Sequence, residues 1–287
     1  MLVNLKEILQ LAEKDKIAIG AYNTPNLETL MAVLGKAEQY DVPIVIMHAW
    51  VHEKFMPLDV IGPVMVNMAG KSSVPVCVQC DHGRSLDYLR RALDLGFTSV
   101  MYDGSAHNYD DNVKNTRKVV WMARQYSASV EAEIGVVSGH EASTYENGQA
   151  IAEEYTDPEL ARSFVSDTGI HALACSFGTV HGFYAKEPKL DFERIRRIKE
   201  LTNLPLVMHG GSGVSNEDLL KSIECGISKI NYYTYMSSAG VKSAQELIET
   251  GKAKYYHDVS VAASKGMAED VGKSMQVFYK LNKGVQP

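Results

Sequence analysis

Short apolar runs alternate along the chain with longer segments in which apolar residues recur at helical spacing. The short runs are rich in β-branched residues, and successive runs begin about 23 to 42 residues apart. They are KIAIGAY, PIVIMHA, VPVCVQC, TSVMYD, SVEAEIG, HALACSF, LPLVMHG and ISKINYY. This spacing leaves room for one helix between consecutive strands, as parallel βα units require.

Helical periodicity between these runs predicts the connecting helices. They span residues 27–40, 60–70, 85–95, 110–125, 157–168, 192–201 and 216–225. Eight strands joined by parallel crossovers close most simply into a (β/α)8 TIM barrel, an α/β fold. No low-complexity linker interrupts the pattern. We therefore expect a single domain over residues 1–287, with a C-terminal helical extension.

One long segment departs from this rhythm after the fifth predicted strand. Residues 136–155 read VVSGHEASTYENGQAIAEEY, a polar stretch that contains glycine. Such a segment can be a mobile loop that closes over an active site, because catalytic loops often follow barrel strands. It can equally be an ordinary surface excursion, and the sequence leaves both interpretations open.

Composition narrows the class of protein and of partner. The chain is 45% hydrophobic and 22% charged, which excludes collagen-like and disordered material. A net charge of -6 argues against nucleic acid as a partner. No targeting segment and no apolar run of about 18 residues is present, so we expect no membrane association and a cytoplasmic location. Cys77 and Cys80, three apart in a predicted strand, are interpreted as core thiols.

Polar residues cluster where the predicted strands end, which is where barrel enzymes build their active sites. These residues are Asn23, Asp81, His82, Asp103, Glu131, Glu133, His181, His209 and Asn231. Three histidines from separate strands can supply the imidazole ligands of an open zinc site. A lone histidine near a strand is more often structural, so this prediction depends on all three lying at strand ends.

A glycine-rich segment, HGGSG at His209–Gly213, lies between an apolar strand and a capped helix. Glycine lets the backbone approach an anion closely, and a helix N-terminus adds partial positive charge. The eighth predicted strand ends nearby in Asn231–Thr234, so the two loops together could hold a phosphate group. A helix-entry turn that needs glycine only for its geometry is the alternative.

Eight sequence motifs, in a fixed order along the chain, are specific enough to indicate a protein family. They are GAYNTPNLE, DHGRS, GFTSVMYDGS, VEAEIG, YTDPE, GTVHGFY, LDFERI and LPLVMHGGSG, and they span nearly the whole chain. With these motifs the sequence resembles the class II, zinc-dependent ketose-bisphosphate aldolases, which include the fructose- and tagatose-bisphosphate enzymes. The resemblance implies a (β/α)8 barrel that cleaves a ketose phosphate to dihydroxyacetone phosphate and an aldehyde.

The resemblance also implies residue roles. His82, His181 and His209 would bind the catalytic Zn2+, and Asp103 and Glu133 would line a second metal position. Asp81 would be the acid/base at the C4 hydroxyl, and Glu141 would exchange the proton at C3 of the product. The substrate, a small-molecule sugar phosphate, would contact Asn23, Gly182, Gly210, Gly211, Ser212, Asn231, Tyr232, Tyr233 and Thr234. The resemblance further implies that a monovalent cation, Na+ or K+, accompanies the phosphate. It also implies a homodimer or homotetramer.

The chain departs from the family pattern where the distal end of the substrate would lie. The family usually has Ser-x-Gly after the second strand, whereas this chain has Ala49 and Val51 on either side of Trp50. A C-terminal arginine of the family is also missing, since no arginine follows Arg197. Both groups serve a distal phosphate in the bisphosphate enzymes. We therefore expect a conventional dihydroxyacetone phosphate half and a non-standard aldehyde half.

Two other functions fit parts of the sequence. A Schiff-base aldolase would need a lysine on a strand, and Lys229 in the eighth predicted strand is the candidate. The same lysine could instead pair with a buried carboxylate. A catalytically silent sugar-phosphate-binding barrel is the second alternative, because a fold alone does not guarantee activity.

Overall fold

Eight parallel strands form a closed barrel in the computed structural model, which describes residues 1–135, 137, 155–184 and 186–281. Each strand pairs with its neighbours in chain order, and β8 closes the barrel on β1. The strands are β1 Ile19–Asn23, β2 Ile44–Ala49, β3 Val76–Gly83, β4 Ser99–Tyr102, β5 Ser129–Ile134, β6 Ala172–Cys175, β7 Leu206–Met208 and β8 Ile227–Tyr232. The predicted (β/α)8 fold is confirmed.

Helices follow the strands and cover the outside of the barrel. They are α1 Leu5–Asp15, α2 Leu27–Tyr40, α3 Leu58–Lys71, α4 Leu86–Asp94, α5 Tyr109–Arg124, α6 Pro158–Thr168, α7 Phe192–Thr202, α8 Asn216–Cys225, α9 Thr234–Glu249 and α10 Tyr256–Phe278. Seven of them, α2 to α8, match the predicted segments within two residues at either end. Side-chain caps explain this agreement, since Ser85 and Ser215 accept backbone hydrogen bonds at the starts of α4 and α8.

The first helix, α1, was not among the predicted elements. It begins with a capping box between Asn4 and Glu7 and ends at Lys16 in the left-handed conformation. Its apolar residues follow the helical period of three and four positions, which was the available signal. The backbone amide of Lys6 donates to Ser129 Oγ at 3.0 Å, at the first residue of β5. Helix α1 therefore covers the N-terminal end of the barrel and leaves the opposite end for a site.

The predicted C-terminal helical extension is present as α9 and α10. Helix α10 packs against α2 and α9 and is tied to β1 from outside the barrel. The Tyr22 hydroxyl is hydrogen-bonded to Ser274 Oγ at 2.7 Å, and the Gly20 amide donates to the Tyr279 hydroxyl at 3.0 Å. The extension thus supports the strand that ends in Asn23.

Four thiols lie inside the fold. Cys77 and Cys80 are buried in β3, and Cys175 and Cys225 are also buried and free. Burial raises the pKa of the Cys77 thiol to about 12, so it stays protonated and inert. The interpretation as core thiols is confirmed.

None of the helices in the described part of the chain combines the length and the apolar character needed to cross a membrane.

Truncation of a buried residue of α1 tests whether this helix packs over the N-terminal end of the barrel. Leu9 is 0% exposed, so Leu9→Ala should lower the free energy of unfolding by about 2–5 kcal/mol. Leu11 on the same helix is 38% exposed, and Leu11→Ala should cost less than about 1 kcal/mol. Urea denaturation followed by circular dichroism measures both, and equal costs would contradict this placement of α1.

Candidate active site

Three histidine side chains converge at the C-terminal end of the barrel. His82 lies near the end of β3, His209 follows β7, and His181 lies in the segment after β6. The ring centroid of His82 is 4.9 Å from that of His181 and 4.7 Å from that of His209, and the remaining pair is 5.5 Å apart. One ring nitrogen of each lies within 4.8 Å of the others, a separation that a single metal ion can span. Residues far apart in sequence are thus brought together.

The backbone of β3 turns His82 into the site. Asp81 pairs with Ala49 of β2, and regular strand alternation would send the following side chain to the outer face. His82 instead has φ 47°, and the register between β3 and β4 shifts between Cys80 and Gly83. An irregularity of this kind redirects a side chain at the rim of a barrel. Asp81 and His82 can therefore serve the same site although they are adjacent.

Carboxylates orient two of the three imidazoles. Nδ1 of His82 is hydrogen-bonded to Asp103 Oδ2 at 3.1 Å, and Nε2 of His209 to Glu131 Oε1 at 3.0 Å. Within the described part of the chain, these contacts leave His82 Nε2, His209 Nδ1 and both nitrogens of His181 buried without a hydrogen-bond partner. Buried polar atoms without partners are costly, and imidazoles oriented by carboxylates are characteristic of zinc ligands. The donor set therefore fits a zinc ion.

The electrostatic surroundings favour neutral rings at two of these positions. Burial lowers the pKa of His181, and the neighbouring imidazoles His82 and His209 lower it further. Burial also lowers the pKa of His209, against the opposing effect of its hydrogen bond to Glu131. At His82 burial opposes protonation, but Asp81 and Asp103 together raise the pKa above its ordinary value. Neutral imidazole is the form that binds a metal.

Two carboxylates form a second cluster with His82. Asp103 and Glu133 join it in a group whose potential ligand atoms lie within 4.8 Å of one another. Burial and the charge of Asp103 raise the pKa of Glu133 to about 8. Burial acts the same way on Asp103, but hydrogen bonds from His82 and Ser105 outweigh it and hold its pKa below the usual range. Two carboxylates this close favour a cation between them.

A buried ion pair lies behind His209. Glu131 Oε2 accepts from Lys229 Nζ at 2.9 Å and from Gln79 Nε2 at 2.9 Å. Burial alone would raise the pKa of Glu131, but Lys229 and His209 hold it well below its usual range. Sequence reasoning placed Glu131 at a strand end without a role, although its period-two spacing from Glu133 shows that both face the barrel interior. Its partner Lys229 is the alternative that the sequence left open.

Asp81 is held by amide donors from two other strands. Asn23 Nδ2 donates to its Oδ2 at 3.1 Å, and Asn231 Nδ2 lies 3.5 Å from its Oδ1. Asn231 Oδ1 in turn accepts from Lys229 Nζ at 2.8 Å. The fully buried carboxylate is therefore oriented by residues of β1 and β8 beside the histidine cluster. Acceptors fixed in this way suit a proton-transfer role.

The glycines of the HGGSG segment occupy crowded positions. A Cβ at Gly210, where φ is 69°, would lie 2.2 Å from the carbonyl oxygen of Val180. A Cβ at Gly211 would lie 2.4 Å from Ile230 Cγ2, and the Gly211 amide already donates to the Asn231 carbonyl at 3.0 Å. Geometry thus requires both glycines, as the helix-entry alternative expected.

The other predicted substrate residues have different surroundings. Ser212 is buried and accepts from the Tyr233 amide at 3.2 Å, which joins the β7 and β8 loops. Thr234 begins α9, and Gly182 follows His181 with φ 91°. The Tyr232 hydroxyl donates to Asp270 of α10 at 2.9 Å, so this side chain is directed to the outside of the barrel. Glu141 lies outside the described residues, as does most of the predicted loop.

Comparison with known proteins agrees with this geometry. The family model described as class-II fructose-bisphosphate aldolase matches residues 3–283. The chain belongs to the class II fructose-bisphosphate aldolase family. This aldolase is therefore a carbon–carbon lyase. It is 38% identical over 252 residues to a fructose-bisphosphate aldolase of Geobacillus stearothermophilus, with 86% of each chain covered.

Further relatives of this aldolase support the assignment. A fructose-bisphosphate aldolase of Staphylococcus aureus is 36% identical over 259 residues, which cover 88% of each chain. The crystal structure of the YdjI aldolase from Escherichia coli K12 superposes with a TM-score of 0.86 at 30% identity, covering 97% of each chain. Similarity extends over the whole barrel and is not limited to the site.

Loss of an orienting carboxylate tests the histidine cluster as a metal site. Asp103→Asn removes the negative charge of the acceptor at His82 Nδ1, so zinc affinity should fall about 10- to 100-fold. Competition with a chromophoric chelator measures the affinity. Asp94→Asn is the matched control, because Asp94 contacts an exposed tyrosine hydroxyl far from the histidines in the fold. Equal affinities for the two variants would show that Asp103 does not orient a metal ligand.

Proposed function

We propose that this aldolase is zinc-dependent and reversibly cleaves a ketose 1-phosphate or 1,6-bisphosphate to dihydroxyacetone phosphate and an aldehyde. The observation that carries the proposal is the set of unpartnered imidazole nitrogens beside an oriented carboxylate. His82, His181 and His209 would hold the zinc ion, and Asp103 and Glu133 would provide the second metal position. An open three-histidine site leaves a position for substrate oxygen.

Asp81 would act as the acid/base. The amides of Asn23 and Asn231 restrain its carboxylate, so that a remaining lone pair can accept the proton of the C4 hydroxyl. The C3–C4 bond then breaks and the aldehyde leaves. The electron pair of the broken bond remains on the dihydroxyacetone phosphate half. Zinc, when bound, supplies the positive charge that stabilises this developing negative charge. Glu141 would donate a separate proton to C3, and Asp81 and Glu141 would then exchange protons with solvent to complete the cycle.

The phosphate of the dihydroxyacetone phosphate half would lie against the β7 and β8 loops. Its proposed contacts are Gly182, Gly210, Gly211, Ser212, Asn231, Tyr233 and Thr234, with Tyr232 contributing backbone only. Helix α9 begins at Thr234 and directs its N-terminal amides towards this region, which favours an anion. Na+ or K+ is proposed as a companion of the phosphate.

The relatives' names point to fructose 1,6-bisphosphate, whereas residues of this chain favour an unphosphorylated aldehyde. Ala49 is buried and pairs directly with Asp81, so a methyl group occupies the position next to the acid/base. Trp50 packs edge-on against Tyr88 with ring centroids 4.7 Å apart. No arginine follows Arg197 to form a bidentate clamp.

We also propose a cytoplasmic homodimer or homotetramer. Apolar side chains of α2 and α10 support self-association, because Met31, Val261 and Tyr256 are exposed on neighbouring helices.

Metal removal tests the proposal against the Schiff-base alternative. Dialysis against EDTA should abolish cleavage, and added zinc should restore it. Treatment with borohydride and substrate should give no adduct on Lys229 by mass spectrometry, because Lys229 Nζ is already hydrogen-bonded to Glu131 and Asn231. Activity that survives chelation together with an adduct would overturn the zinc mechanism.

Replacement of the proposed acid/base distinguishes an enzyme from a catalytically silent barrel. Asp81→Ala should retain zinc yet lose turnover by about 100-fold or more, and unchanged turnover would remove Asp81 from the mechanism.

Substrate comparison tests the aldehyde half. The kcat/KM for fructose 1,6-bisphosphate should be about tenfold or more below that for the best ketose 1-phosphate without a second phosphate, because no clamp holds the distal anion. Coupled reduction of dihydroxyacetone phosphate measures both rates. Ala49→Ser is the matched variant and should narrow the difference. Comparable efficiencies of the unaltered enzyme would contradict the proposal.

A further inference from the structure

His52 is a fully buried histidine whose hydrogen-bonding capacity the fold does not use. It ends a short 3₁₀ helix, Trp50–His52, that follows β2. Among the described residues, neither ring nitrogen has a hydrogen-bond partner. His48, four residues earlier in β2, shows the contrast, since its ring is hydrogen-bonded to the Tyr88 hydroxyl and to the Met56 carbonyl, both at 2.8 Å. His48 is therefore structural, whereas His52 has both positions available.

A phenyl ring would fill the place of His52 without burying unpaired polar atoms. Desolvated donors and acceptors destabilise a protein unless a partner arrives. Two such atoms on one ring at the mouth of a barrel indicate that the partner is a ligand.

The surroundings of His52 place it at the edge of the proposed substrate site. Its ring centroid lies 5.0 Å from that of Tyr233 and 5.3 Å from that of Phe55. The Tyr233 amide is bonded to Ser212 of the proposed phosphate loop. The charge of the Asp81 carboxylate also acts on the ring, since it raises the pKa of His52. His52 thus contacts Tyr233 of the β8 loop, and it follows β2, the strand that pairs with the Asp81 strand β3.

The ring is neutral at ordinary pH. Burial and the neighbouring His48 lower the pKa of His52 to about 4, and the charge of Asp81 opposes them only in part. A neutral imidazole has one N–H donor and one acceptor. A hydroxyl group, which donates and accepts, matches both. A phosphate dianion offers only acceptors and would face the lone pair of the second nitrogen.

We propose that His52 is a specificity residue that hydrogen-bonds hydroxyl groups on the aldehyde half of the substrate. This inference rests on the proposed function, in which Asp81 acts at the first carbon of that half. In the barrel order β2 lies next to β3, which carries Asp81, and two strands from β8, whose loop is assigned to the other half of the substrate and contacts His52 through Tyr233. In place of the serine and arginine that serve a distal phosphate in the family, His52 would offer a neutral imidazole to the hydroxyl groups of the aldehyde.

The rate of aldol addition, the reverse of cleavage, tests the proposed hydrogen bond between His52 and the hydroxyl groups of the aldehyde. Dihydroxyacetone phosphate is combined with glyceraldehyde or with propanal, which has the same carbon number but lacks both hydroxyl groups. In His52→Phe the kcat/KM for glyceraldehyde should fall about 10- to 100-fold, while that for propanal stays within about threefold. His52→Gln keeps a donor and an acceptor and should recover part of the loss. His257→Phe on the exposed surface of α10 is the control and should change neither value.

Two further measurements make the result decisive. Thermal unfolding should show that His52→Phe is at least as stable as the unaltered protein, because it removes two unpaired polar atoms. Exchange of the C3 proton of dihydroxyacetone phosphate with solvent, measured without aldehyde, should be unchanged in His52→Phe. An unchanged glyceraldehyde-to-propanal ratio, or equal losses for both aldehydes, would overturn the role of His52 while normal exchange leaves the proposed function intact. No exchange in the unaltered zinc-loaded enzyme would overturn both.

Discussion

The buried carboxylate of Glu131 is the group on which the arrangement of the site depends. It accepts hydrogen bonds from Gln79 of β3 and Lys229 of β8 and is bonded to the ring of His209 after β7. Three separate strands are thus tied to one side chain in the barrel interior. An unpaired carboxylate would be unstable there, so each partner is needed for the charge to remain. Lys229 extends the network through Asn231 to Asp81, which links the imidazole cluster to the proposed acid/base.

A local irregularity in β3 adds a second constraint. Side chains that follow each other in a strand face opposite sides, yet Asp81 and His82 must both reach the same end of the barrel. The left-handed backbone of His82 and the register shift beside it allow this. The hydrogen bond from His82 to Asp103 then defines the ring orientation. Strain in the backbone is compensated by contacts around it, as is common at functional sites.

Much of the architecture follows from periodicity and caps. The strand positions and seven helices were predictable because β-branched runs, serine caps and glycine turns are local signals. Helix α1 was not predicted, although Leu5, Ile8 and Leu9 have helical spacing, because it precedes β1 and so lies outside the strand-then-helix repeat. The outward direction of Tyr232 was not predictable, because Asn231 and Tyr232 are adjacent at the end of β8 and which of them faces the barrel interior depends on register.

The amino-acid sequence by itself determined the barrel and the set of polar residues at its strand ends, because local propensities and the right-handed crossover rule leave few other topologies. Which nitrogen of each ring faces the site, how Lys229 is neutralised and which histidine lacks a partner were decided only by tertiary structure. Those properties depend on distances between residues far apart in sequence. His48 and His52 illustrate the point: four residues apart, one is satisfied by Tyr88 and Met56, while the other is buried without a partner in the structure.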